Sequence, residues 1–422
     1  MNPQLAELQA YPFERLAKLK QGVVPPAHLA HIPLSIGEPK HAPPDFVLQV
    51  LRDSLAGLGQ YPSTVGLPEL RAACARWLER RFGLGAMCVG LDAVLPVNGT
   101  REALFAVAQA VIDPDRSETS ASHRSADRPR VAMPNPFYQI YEGAALLASA
   151  TPYFFDTPAG NGFLPDLDAI PAAVWDRVQL LYLCSPGNPG GAVMSIDLLR
   201  RAIELADKHD FIIASDECYA ELYTDEANPP PSLLNAALAA GHSNFERCVV
   251  FHSLSKRSSL PGLRSGFVAG DLTVLRDFLL YRTYHGCAMP VPTQFASIAA
   301  WNDDDHVKAN RALYREKFAR VLPILAPHLQ VEQPAGGFYL WPDVGGDDTV
   351  FTRELFARHN VTVVPGSYLA RPTRHGLSDS SGHNPGVGRV RISLVANLED
   401  CVTAAERIAD FVQEFQSQGR SS

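Results

Sequence analysis

Between about residue 90 and residue 270, short apolar runs alternate with stretches of helical periodicity. The strand candidates are AVLPV (93–97), RVAMP (130–134), ATPYFF (150–155), VQLLYLCS (178–185), FIIASDE (211–217), CVVFHS (248–253) and SGFVAG (265–270). Helices fall between several of them. TREALFAVAQAVI puts Leu104, Phe105, Ala108 and Val111 on one face. SIDLLRRAIELADKH does the same with Leu198, Leu199, Ala202, Ile203 and Ala206, and Ser195 is placed as its N-cap. Strands that are apolar throughout and bounded by helices predict a mostly parallel sheet covered on both faces, an α/β arrangement.

The pattern then changes. A long helical segment spans roughly 293–325, followed by short strands in GGFYLWPDV, VTVVPGS and GRVRISLVA and a closing helix, LEDCVTAAERIADFVQEF. This predicts a smaller α+β domain, which the first forty or so residues join. Two stretches poor in apolar residues, 113–130 and 370–388, read as surface loops. There is no internal repeat.

Composition narrows the function classes. With 422 residues, nearly half of them apolar, the chain can bury a large core and suits two domains. The net charge is −8 and no basic run is interleaved with aromatics, which argues against a nucleic-acid partner. No apolar stretch reaches the length of a membrane span, and the N-terminus lacks the basic start and apolar centre of a secretion signal. The seven cysteines are scattered, odd in number and without a CxxC pair. They are expected to be free thiols of a cytoplasmic protein without a zinc site, with Cys184, Cys218 and Cys248 as small core residues.

Chemistry gathers at the strand ends. FHSLSKRSSLPGLRSGF places one lysine, Lys256, among five serines, with Arg264 eight residues on. Gly99, Thr100 and Arg101 open a helix, whose free N–H groups and positive end suit a phosphate. Ser253, Ser255 and Arg264 offer hydroxyls and a guanidinium to the same dianion. Asp216 ends an apolar strand, where a carboxylate needs a proton-bearing partner such as a protonated pyridine nitrogen. Asn188 and Tyr219 suit a phenolic oxygen, and Lys256 suits an aldehyde. Together these describe pyridoxal 5′-phosphate.

In chain order come GEP (Gly37-Glu38-Pro39), YPSTVGLPELR, NGTRE, PFYQIY, SPGNPGG, SDECY, SLSK with a following G-x-R-x-G, and a late RxR. This series resembles the fold-type I, class I/II aminotransferases over nearly the whole chain. Within them, NPFYQIYEGAALL, SDECYAELY, SLSKRSSLPGLRSGFVAG and LYRTYHGCAMP are most similar to the succinyldiaminopimelate aminotransferases of bacterial lysine biosynthesis.

The resemblance implies a large cofactor-binding domain at 47–284, with 1–46 and 285–422 forming the small domain and its N-terminal arm. Lys256 resembles the Schiff-base lysine and proton shuttle, and Asp216 the partner of the ring nitrogen. Asn188 and Tyr219 resemble the residues that bond the 3′ oxygen. Tyr138 resembles the ring-stacking aromatic, with Phe137 and Tyr141 as competitors. Gly99, Thr100, Arg101, Ser253, Ser255 and Arg264 would hold the phosphate, helped by Tyr61 from a neighbouring subunit, so the enzyme would be a homodimer with shared sites. Arg391 resembles the arginine that grips the substrate α-carboxylate beside the Gly37 backbone. Arg389 lies on the same strand face, and periodicity does not separate the two. Arg282 and Arg257 are candidates for the distal carboxylates. Gly190 stands where the family usually has threonine. The implied reaction is a two-half transamination between glutamate and N-succinyl-2-amino-6-oxopimelate. The alternatives are an aspartate, alanine or broad-range aminotransferase, or a β-lyase, on the same fold.

Overall fold

A computed structural model describes residues 1–85, 87–115, 128–373 and 382–419, with side chains to residue 415. Its strands are β1 (Ile32–Pro33), β2 (Val94–Val97), β3 (Arg130–Asn135), β4 (Thr151–Asp156), β5 (Val178–Cys184), β6 (Ile212–Asp216), β7 (Cys248–Ser253), β8 (Gly266–Gly270), β9 (Tyr339–Leu340), β10 (Val361–Thr362), β11 (Val364–Pro365) and β12 (Val390–Ser393). All seven strands expected between residues 90 and 270 form, and they build one sheet in the order β2-β8-β7-β6-β5-β3-β4. Strands β3 to β7 are parallel to their neighbours among themselves. β8 runs antiparallel between β2 and β7.

Side-chain alternation explains why these strands are apolar at every position. On β5, Leu180 and Tyr182 pack on one face with Leu104 and Val107, while Leu181 and Leu183 pack on the other with Trp77 and Phe245. Each such buried side chain contributes about 1.5–3 kcal/mol over exposure. The helix Ile196–His209 begins as expected, with Ser195 Oγ accepting from Leu198 N at 3.2 Å.

A second, three-stranded antiparallel sheet has the order β11-β12-β9. Beside it β1 pairs in parallel with β10, and Ser393 N donates to Leu34 O at 2.8 Å. The first forty residues are thereby stitched to the C-terminal part. The helices Asp305–Leu325 and Leu398–Gly419 cover this sheet through Phe318, Val321, Ala405 and Phe411.

Three expectations are corrected. The helical segment near 293–325 is two helices, Val291–Asn302 and Asp305–Leu325, broken where the Asp303 carboxylate accepts from His306 N. The first packs through Ala296, Ala300 and Trp301 into the core of the seven-stranded sheet, not into the smaller one. Ala370, Arg371 and Thr373 are buried where a surface loop was expected. Arg371 makes a two-pronged ion pair with Glu142, at 2.9 and 2.6 Å. The remaining core of that stretch, 374–381, and residues 116–127 of the other polar stretch lie outside the described residues.

Candidate active site

Parallel strands that end together leave their last residues on one edge. Cys184 and Asp216 are register partners at the ends of β5 and β6, and Ser253 ends β7. Above this edge is a cavity of about 480 Å³. Thr100, Arg101, Tyr138, Asn188, Asp216, Tyr219, Ser253, Ser255, Lys256, Arg264, Gly37 and Arg391 all line it. Residues more than 350 positions apart in the chain thus meet in one place, as the sequence reading required.

The anion end of the cavity is built on backbone. Gly99 caps the helix Thr100–Val111 at φ +82°, a left-handed conformation that glycine adopts without strain, and no side chain caps the helix. A Cβ on Gly99 would collide with the Arg264 guanidinium, so the loop and the arginine are packed as one cradle. Ser253 and Ser255 complete it, their hydroxyls 3.0 Å apart. Arg264 is held over it by the carbonyls of Pro261 and Asn98. Free N–H groups, two hydroxyls and a guanidinium are the donor set a phosphate takes.

At the opposite end, Asp216 is buried. Burial raises its pKa, while hydrogen bonds from Cys218 N (3.2 Å) and Tyr141 Oη (2.9 Å) oppose the rise. Tyr141 was a competitor for ring stacking. It is instead wholly buried, stacked on Tyr182 at 4.5 Å, and donates to Asp216. Phe137 is likewise buried away from the cavity, which leaves Tyr138, of these three aromatics, on its wall, bonded to Arg101 Nε at 2.7 Å.

Between the two ends, Lys256 Nζ donates to Gly37 O at 2.5 Å. Burial is the main cause that lowers its pKa to about 8. Cys218 opposes that fall and Arg391 adds to it. Arg391 is buried and bonded to Asn188 Oδ1 (3.1 Å) and Ser35 O (2.8 Å), and it lies 4.5 Å from the Tyr339 ring centroid. Its Nε has no partner among the described residues. Arg389 turns elsewhere, donating to Trp341 O beneath Phe163. The tertiary structure makes the choice that strand periodicity left open.

Other expected residues fall outside this cavity. Arg282 is fully buried, ion-paired to Glu102 and donating to Cys287 O at 2.9 Å. Arg257 is buried against Ala300 O and Asp304. Both guanidiniums are buried in the fold and stand away from this cavity. Tyr61 is fully exposed and does not reach its own chain's cavity. Cys218 is not a core filler as expected. It lines the cavity, with Sγ 3.0 Å from Thr100 Oγ1. The glycine at 190 has a local cause, because a Cβ there would lie 2.9 Å from Phe163 Cβ.

Several wall residues escaped the sequence reading. Tyr11 and Phe13 come from the N-terminal segment and carry no local signal, and Glu38 belongs to the GEP motif but had no role assigned. Tyr339 bonds Tyr219 through their hydroxyls at 2.9 Å, and a Cβ on Gly37 would collide with that same hydroxyl.

The comparisons with known proteins bear directly on this geometry. The family pattern described as aminotransferase class I and II matches residues 30–408. The chain belongs to this family. The aminotransferase is 31% identical over 415 residues to an LL-diaminopimelate aminotransferase of Nitratidesulfovibrio vulgaris, covering 96% of this chain and 97% of that one. It is 33% identical to the 4-dedimethylamino-4-oxo-anhydrotetracycline transaminase OxyQ of Streptomyces rimosus, over 96% of this chain and all of that one. A crystal structure of an aminotransferase from Neisseria meningitidis superposes with a TM-score of 0.89 at 48% identity, covering 98% and 100% of the two chains. The fold is therefore that of the fold-type I enzymes, and the cofactor is pyridoxal 5′-phosphate.

Proposed function

We propose that this aminotransferase exchanges the amino group of glutamate with N-succinyl-2-amino-6-oxopimelate, as a cytoplasmic homodimer, in diaminopimelate and lysine synthesis. The observation that carries the reading is the convergence, in one cavity, of a desolvated lysine, a buried aspartate and a buried arginine. The substrate assignment is supported by the motifs around Tyr138, Tyr219 and Lys256.

When bound, the cofactor supplies an aldehyde that holds the substrate nitrogen and a ring that accepts the electron pair left when Cα loses its proton. The residues do the rest. The helix start at Thr100, with Ser253, Ser255 and Arg264, would hold the phosphate. Asp216 would accept the ring N–H, which would compensate a carboxylate whose burial is otherwise costly. Tyr138 would cover the ring, and Asn188 and Tyr219 would bond its 3′ oxygen. Arg391 grips the α-carboxylate, using its unpartnered Nε and the edge it shares with Asn188. Lys256, whose amine burial makes easier to deprotonate, would take the Cα proton and pass it to the carbon that carried the aldehyde. Its bond to Gly37 O aims it toward the side of the cavity where Arg391 places the substrate.

Arg101 takes over the part first given to Arg282. It lines the cavity, and among the described residues its side chain bonds Tyr138 through Nε, which leaves its terminal N–H groups for a distal carboxylate. A second reading, LL-diaminopimelate itself as amino donor, has two supports: relatives 30–31% identical bear that name, and Glu38 on the wall suits a distal ammonium. Turnover of N-succinyl-LL-2,6-diaminopimelate, LL-diaminopimelate and N-acetylornithine, each with 2-oxoglutarate, separates these. The succinylated substrate is expected to give the highest kcat/KM. A higher value for LL-diaminopimelate would replace the proposal with the second reading.

A further inference from the structure

Behind the cavity wall runs a line of polar groups. Lys317, on the helix Asp305–Leu325, is 2% exposed. It has no carboxylate partner among the described residues. Its Nζ reaches three acceptors: Leu394 O at 3.2 Å, Val395 O at 3.5 Å and His41 Nε2 at 2.7 Å. His41 Nδ1 lies 2.8 Å from Asn310 Oδ1. Asn310 Nδ2 donates to Lys256 O (3.1 Å) and Arg257 O (3.2 Å). Leu394 and Val395 directly follow β12, which carries Arg391.

The direction of this line is fixed from its ends. The carbonyls of Lys256 and Arg257 only accept, so Asn310 turns its amide nitrogen to them and its oxygen to His41. His41 must then carry its proton on Nδ1, which leaves Nε2 to accept from Lys317. Each donor then faces an acceptor, and reversing Asn310 or His41 would oppose two donors or two acceptors. The His41 ring is clamped against Tyr314 (centroids 4.4 Å apart), and its carbonyl accepts from Ser259 Oγ at 2.8 Å.

We propose that Lys317, His41 and Asn310 are positioning residues: a directed relay that ties the end of the Arg391 strand to the backbone of Lys256 and so sets the spacing of the two groups that act on the substrate. A buried, unpaired ammonium costs stability, and a purely structural position is filled as well by an apolar side chain. The lysine is useful here because only a donor to three acceptors joins Leu394, Val395 and His41. The proposal rests on the roles given to Lys256 and Arg391 and not on the choice of keto acid.

The test uses the cofactor-loaded enzyme with Lys317→Met and Asn310→Leu, alone and together. Each single variant is expected to raise KM for glutamate by about tenfold, as misplacement of positioned groups does. Each should also move the pH midpoint of the cofactor absorption band. The double variant should be no worse than the poorer single, because one relay is broken once. Changes confined to the melting temperature, with KM and midpoint within twofold of wild type, would overturn the relay. Borohydride labelling of Lys256 in the same samples keeps that outcome distinct from a failure of the lysine assignment. Should the variants not fold, histidine-selective ¹⁵N NMR of the wild type decides: His41 should be neutral with its proton on Nδ1, and a proton on Nε2 would refute the proposal.

Discussion

Lys256 was legible in the sequence only as one amine among hydroxyls. Its reactivity comes from burial, which brings its pKa from the ordinary 10.5 to about 8. The free amine must be neutral to attack an aldehyde. Cofactor capture by the apo-enzyme is therefore expected to rise with pH to a midpoint of about 8, measured by absorbance after mixing. A midpoint near 10.5 would mean that the lysine is solvated. The linkage has the matching sign. Between pH 8 and pH 10.5 the unfolded chain binds the extra proton, so this group makes apo-enzyme stability rise with pH through that window. Lys256→Ala should abolish borohydride labelling and lower kcat by at least about 10³-fold, within the range that general acid–base catalysis supplies. Arg391→Lys keeps the charge but loses the planar fork. Its kcat/KM should fall by about 10–100-fold, mostly through KM, with the cofactor still bound. Arg101→Gln should weaken dicarboxylic substrates while sparing alanine. Equal losses on both would return Arg101 to the phosphate alone.

At the scale of elements, pattern and structure agree where periodicity is strong. The seven strands and the Ser195 cap follow from local apolar spacing and a side chain that reaches its own helix. Ser195→Ala should cost about 1 kcal/mol in denaturant unfolding and leave kcat/KM unchanged, because this cap only satisfies its helix. Gly99 is the contrasting case. Its positive φ and its contact with Arg264 make any side chain both strained and obstructive. Gly99→Ala should therefore raise the Kd for the cofactor at least about tenfold, read by equilibrium dialysis. The break at Asp303 lies in a polar run, Asn302 to His306, that the reading of one long helical segment passed over. It exists because one half of the segment packs under the large sheet and the other over the small one. For that reason we propose that the division between the two parts falls near Asp303 and not at residue 284.

The whole molecule adds partners that no window of sequence contains. Arg371 lies in a stretch whose composition reads as loop, yet it is buried against Glu142, 229 residues away. Glu142→Leu would leave that guanidinium buried and unpaired, and should destabilise by about 3 kcal/mol in thermal or denaturant unfolding. Tyr61 is fully exposed in the single chain, which agrees with its proposed service to a second subunit. Mixing Lys256→Ala and Tyr61→Ala protomers should then restore activity toward about a quarter of the wild-type sites, since half the dimers are mixed and each holds one intact site. No restoration above the separate variants would exclude shared sites.

By itself the sequence determined the strands, their burial on both faces, the helix starts, and the set of chemical groups from which the cofactor could be named. Those depend on side-chain periodicity and on motifs whose members are close along the chain. Only the tertiary structure decided between Arg391 and Arg389, withdrew Arg282 and Arg257 into internal ion pairs, gave Tyr141 to Asp216, and brought Tyr11, Glu38 and Tyr339 to the cavity. The physical reason is that a side chain's function depends on which acceptor, charge or void it faces. That neighbour is set by the packing of segments hundreds of residues apart, about which local spacing is silent.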